Sequence, residues 1–104
     1  MATLNPPVQG TAWETDVELE DWANPGLFKA NPTLAAGDVK ITKENGAEAN
    51  LTTLPTVSPA GGTHVRTQFS GTETTTTKAT VKFHDQTNPP EWADYALTIF
   101  PVEA

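Results

Sequence analysis

Apolar and polar residues alternate strictly from Trp13 to Asp21. Trp13, Thr15, Val17 and Leu19 fall on one side, and Glu14, Asp16, Glu18 and Glu20 on the other. Successive side chains of an extended backbone point to opposite faces, so this period of two predicts a half-buried strand. Asp21-Trp22-Ala23-Asn24-Pro25-Gly26 ends it with turn chemistry, and Leu27-Phe28 forms a short apolar patch ahead of Asn31-Pro32. Alternation resumes at Val39–Thr42 and runs into Asn45-Gly46. Both residues of that pair tolerate positive φ, which predicts a hairpin with Ala47, Ala49 and Leu51 on the return strand. Pro55 and Pro59-Ala60-Gly61-Gly62 bracket a predicted loop around Val57.

Two further strands are expected downstream. Val65, Thr67 and Phe69 alternate with His64, Arg66 and Gln68, and Ala79, Val81 and Phe83 alternate with Lys78, Thr80, Lys82 and His84. A threonine-rich connection, Gly71–Thr77, separates them. Pro89-Pro90 marks another loop, and Tyr95, Leu97 and Ile99 make a last strand before Pro101. No stretch sustains a helical period through its Gly and Pro residues. About seven short strands broken by regular turns predict an all-β fold, an immunoglobulin-like β-sandwich, with a small barrel as the competing architecture. Asn5-Pro6-Pro7 and Gly10 make residues 1–11 an extended N-terminal arm, leaving 12–104 as one sandwich domain.

Composition narrows the functions. A chain of 104 residues has room for one domain, and 37% hydrophobic residues predict a thin core that neighbours help to stabilise. There is no cysteine, hence neither disulfide nor thiolate metal site. No apolar run reaches the length of a signal-peptide core or a membrane span. The polar start Met1-Ala2-Thr3 reads as that of a protein made in the cytoplasm, with no membrane partner expected. Net charge is -7, and the six Lys and Arg residues are scattered between Lys29 and Lys82. That disfavours direct nucleic-acid binding, which needs clustered cations to neutralise phosphates, and suits docking onto a basic protein surface.

Catalytic chemistry finds little support. His64 and His84 fall on outward strand faces, and Ser58 and Ser70 lack the glycine elbow that exposes a hydrolase serine. No spacing of His, Asp and Glu suggests converging metal ligands. Neither enzyme activity, nor a metal, nor any cofactor is expected. The carboxylate row Glu14, Asp16, Glu18 and Glu20 is a solvated edge that blocks strand addition or a contact for a basic partner; calcium ligation fits less well, since carboxylates along one strand lie too far apart without loop oxygens. Lys78, Lys82 and His84 share one strand face, and Arg66 shares another with His64 on the neighbouring strand. Acidic and basic faces meet between copies, or on a shell protein, or within one molecule. Trp22 and Trp92 stand beside turns, as end caps or as interface anchors. The candidate protein-interface set is therefore Glu14, Asp16, Glu18, Glu20, Trp22, Arg66, Lys78, Lys82 and Trp92.

The run FKANPTLAAGDVKI, Phe28 to Ile41, and the run NLTTLPTVSPAGG, Asn50 to Gly62, resemble stretches of small structural proteins of tailed-phage virions. The likeness continues through Val65–Phe69, Ser70–Glu73, Ala79–Phe83, Asp85 and Glu91-Trp92, covering roughly residues 17 to 100. The sequence departs from it at Thr74–Thr77 and Asn88-Pro89-Pro90. The resemblance implies an immunoglobulin-like domain located in the virion. It also implies a role as a capsid decoration (cement) protein on the outside of the head, where it self-associates and binds the major capsid protein. The alternatives are a tail, baseplate or fibre-adaptor component bound to tail proteins, or a virion-displayed host-surface or glycan-binding module.

Overall fold

A computed structural model describes residues 6–44 and 46–103. Its seven strands are β1 (Trp13–Glu18), β2 (Val39–Lys43), β3 (Ala49–Asn50), β4 (Thr56–Val57), β5 (His64–Phe69), β6 (Ala79–Phe83) and β7 (Tyr95–Ile99). Among the described residues there is no helix. The strands form two antiparallel sheets, in the orders β1-β5-β4 and β3-β2-β6-β7. Hairpins join β2 to β3, β4 to β5 and β6 to β7, while the other three connections cross between sheets.

The alternation read from the sequence sets the faces. Val17 of β1 and Val65, Thr67 and Phe69 of β5 are buried, as are Val39, Ile41, Ala79, Val81, Phe83 and Ile99 of the second sheet. Together with Leu19, Leu51 and Trp92 the apolar members form one core cluster between the sheets. The molecule is flat, with principal extents of 41 × 38 × 20 Å.

Several expectations need correction. β5 and β6 are not neighbours in one sheet, so Arg66 and Lys82 stand on different sheets. The predicted loop around Val57 contains a two-residue strand, because Thr56 and Val57 pair with Arg66 and Val65. The return strand after Gly46 shrinks to Ala49–Asn50. Asn45 of the predicted hairpin and Leu4 of the predicted arm lie outside the described residues.

The described part of the arm is tied down. Val8 forms a parallel bridge with Val102, in which Gln9 N–H donates to the Val102 carbonyl (2.9 Å) and Val102 N–H donates to that of Pro7 (2.9 Å). Next to it, Gly71 approaches the backbone so closely that a Cβ there would lie 2.7 Å from the Gly10 carbonyl oxygen. Backbone cannot swing aside as a side chain does. Gly71→Ala is therefore expected to lower stability by about 1–3 kcal/mol, the usual cost of overpacking. An unchanged urea midpoint would show that Gly10 is not held there.

Glu73 braces the same end from inside. It is buried and accepts from the backbone N–H of Ser70 (2.8 Å) and of Thr52 (2.8 Å), while Ser70 Oγ accepts from Glu73 N–H (3.2 Å). This is the reciprocal exchange of a capping box, used to fasten the β5–β6 crossover to the β3–β4 connection. The spacing Ser70–Glu73 is the local signal that reveals it.

Candidate functional site

The end of the molecule holding the β1–β2, β4–β5 and β6–β7 connections is built around a small closed loop. Past β1 the chain turns back on itself, with Asp21 N–H donating to the Leu27 carbonyl (2.8 Å) and Lys29 N–H to that of Leu19 (2.7 Å). Asp21 Oδ1 accepts from Ala23 N–H (3.0 Å), an Asx turn, and Glu20 Oε2 accepts from Gly26 N–H (2.9 Å). Gly26 takes a φ of 95°, open to glycine at no steric cost.

Neighbouring loops pin this hairpin. Trp22 N–H donates to the Glu91 carbonyl (3.1 Å), Ala93 N–H to that of Glu20 (3.0 Å) and Asn31 N–H to that of Gly62 (2.7 Å). Glu91 Oε1 accepts from Thr33 N–H (3.0 Å). Asp85 shapes the β6–β7 connection by accepting from Glu91 N–H (2.7 Å), Thr87 N–H (2.9 Å) and the Thr87 hydroxyl (2.7 Å). Burial alone raises the Asp85 pKa, but these hydrogen bonds and the nearby His84 charge outweigh it and hold the carboxyl below its ordinary value.

What this scaffold presents is apolar. Trp22, Leu27 and Phe28 are 53%, 63% and 57% exposed, three large hydrophobic side chains within seven residues. Large apolar side chains held exposed on a rigid support are candidate interface anchors. Of the three, only Trp22 is among the interface candidates that the sequence marks; Leu27 and Phe28 are not. The signal is their position across a turn from Trp22, where Phe28 bridges Glu20.

The remaining candidates divide. Glu14, Asp16 and Glu18 stand on the outer face of β1, directly opposite Gln68, Arg66 and His64 of β5. Glu18 meets His64 at 2.7 Å, and Arg66 lies 3.8 Å from Glu14 and 4.0 Å from Asp16. The acidic row is thus a charge ladder within one molecule, and Glu20 serves the hairpin. Lys82 is on the other sheet, opposite Lys40. Lys78 falls before β6, where its carbonyl accepts from Glu44 N–H (2.9 Å). His84 pairs with Asp94 at 2.7 Å. Trp92 leaves the interface set. It is fully enclosed in the core, while its backbone bridges Asp21.

Two clefts mark the surface. One of about 410 Å³ is lined by residues of the arm, β1 and β5, Trp13 and Phe69 among them. The other, about 280 Å³, is lined by Gly37, Asp38, Lys40, Glu48, Lys82, His84 and Gln86. Among the described residues no group of three or more His, Cys, Asp or Glu could hold a metal ion, and no helix is long and apolar enough to cross a membrane. Comparison with family models, curated proteins and solved structures returned no match.

Proposed function

We propose that this chain is a non-enzymatic structural protein of a tailed-phage virion, a decoration protein that seats on the outside of the head against the major capsid protein. The observation that carries the reading is the braced hairpin, which exposes Trp22, Leu27 and Phe28 while its backbone is pinned to the neighbouring loops. A preformed aromatic anchor loses little freedom on docking, and such anchors dominate interface energetics. The resemblance of Phe28–Ile41 and Asn50–Gly62 to small virion proteins supports the same reading.

An immunoglobulin-like plan belongs to this proposal. The order β1-β5-β4 beside β3-β2-β6-β7 matches strands B-E-D and C′-C-F-G of that sandwich. On this assignment the hairpin and the β6–β7 connection are the B–C and F–G loops, two of the three that immunoglobulin variable domains use for recognition.

The test is cosedimentation of the purified protein with heads that lack it. The wild-type protein is expected to pellet with heads. Trp22→Ser with Phe28→Ser is expected to weaken binding at least about thirtyfold, the loss of one hot spot of ~2 kcal/mol or more. A wild-type chain that ignores heads, or a double variant that binds like it, would sink the reading. The same hairpin would serve a tail, baseplate or fibre-adaptor component. Copy number per particle separates the two, hundreds for a head and a handful for a tail.

A further inference from the structure

The outer face of the four-stranded sheet carries an arrangement that the proposed docking hairpin does not use. Lys40 and Lys82 are directly opposite each other on the central strands β2 and β6, and both side chains point away from the core that holds Val39, Ile41, Val81 and Phe83. Like charges directly opposite on one sheet face repel. A chain with six Lys and Arg against thirteen Asp and Glu nevertheless sets two of its cations side by side. Neither ammonium is within ion-pair distance of a carboxylate among the described residues. Both border the cleft of about 280 Å³, where Glu48 and the buried Asp38 are the carboxylates. Asp38 is occupied, accepting from Gln86 Nε2 (2.8 Å) and from Ala35 N–H (3.0 Å).

The opposite outer face has the complementary excess. Glu14 and Asp16 share the single guanidinium of Arg66 at the outer limit of ion pairing, and their side chains remain 57% and 50% exposed. One broad face therefore offers unpaired cations and the other underpaired anions, on either side of a two-layer molecule with extents of 41 × 38 × 20 Å.

We propose that the chain self-associates front to back, the Lys40–Lys82 face of one copy receiving the Glu14–Asp16 row of a second copy. The proposal is independent of the virion reading. Such a contact joins two different surfaces, so it repeats and builds a ring or an open file rather than closing as a dimer. A net charge of -7 on every copy opposes association. The contact is accordingly weak, and it is strongest where copies are already concentrated on a surface.

Sedimentation velocity across a concentration series of the full chain tests it. The wild-type protein is expected to associate with rising concentration. Lys40→Glu with Lys82→Glu, and separately Glu14→Lys with Asp16→Lys, should each weaken association at least about tenfold, since like charges then face each other. Mixing these two double variants is expected to restore complexes, because one presents two acidic faces and the other two basic ones. Misfolded chains could not give that rescue, and the milder Lys40→Gln with Lys82→Gln should fall between wild type and reversal. Added salt also screens the overall repulsion between copies, so the reversals decide. A wild-type chain that stays monomeric throughout, or reversed variants that associate as well as it does, would overturn the proposal.

Discussion

Replacing Trp92 with alanine is expected to remove about 3–5 kcal/mol of stability, the usual range for deleting a buried indole. Domains of this kind are stable by only about 5–15 kcal/mol in total. Trp92 is the largest fully buried side chain, in a core otherwise made of aliphatic residues and two phenylalanines. The segment around it also carries the pinning bonds of the hairpin, so its loss would loosen the β1–β2 and β6–β7 loops before the whole chain unfolds. Trp92→Phe should behave quite differently. The indole Nε1 is buried without a hydrogen-bond partner among the described residues, and an unsatisfied buried donor costs about 1–3 kcal/mol. Phenylalanine forfeits volume but removes that cost, and its net loss is expected to stay within about 2 kcal/mol. Urea unfolding of the two variants checks this. Equal midpoints for alanine and phenylalanine would mean that the site is not packed as described.

Asp85→Asn should produce the second large effect, about 2–3 kcal/mol at neutral pH, because hydrogen bonds to a charged acceptor are stronger than neutral ones. The carboxylate receives three donors at 2.7–2.9 Å, whereas an amide has only one oxygen and would turn its NH₂ toward a donor. The pH dependence has a definite sign. The folded-state pKa of Asp85 is lowered, so its contribution is fully present above the unfolded value of about 3.9. It is lost as pH falls through that value to the folded one. The stability gap between wild type and Asp85→Asn is therefore expected to be widest near pH 7 and to narrow below about pH 4. A gap that stays constant with pH would show that the ionised form is not what the loop holds. Asp85 also positions Glu91, which accepts from Trp22 and Thr33, so the variant should loosen the β1–β2 hairpin even where it remains folded.

The comparison of sequence with structure is most instructive at individual residues. Val17, Val65, Val81 and Phe83 were readable as core from alternation alone, since the direction of a strand side chain follows from its position in the strand. The two-residue strands β3 and β4 carried too little pattern to be seen. Asp38 and Asp85 are buried carboxylates that resemble ordinary loop acids, because what makes them structural is the backbone N–H groups folded around them. Trp22 and Trp92 are both tryptophans beside turns and acids, yet one is 53% exposed and the other is fully enclosed.

The chain by itself determined that the protein is built of short strands, and which side of each strand is apolar, because periodicity is local and each residue carries it. Tertiary structure alone decided that β1 pairs with β5 while β2 pairs with β6. That pairing turned the acidic row into a ladder facing Arg66 and His64, and left Lys40 beside Lys82. Pairing depends on how crossovers close over a shared core, and charges hundreds of atoms apart along the chain become neighbours only once that core has formed.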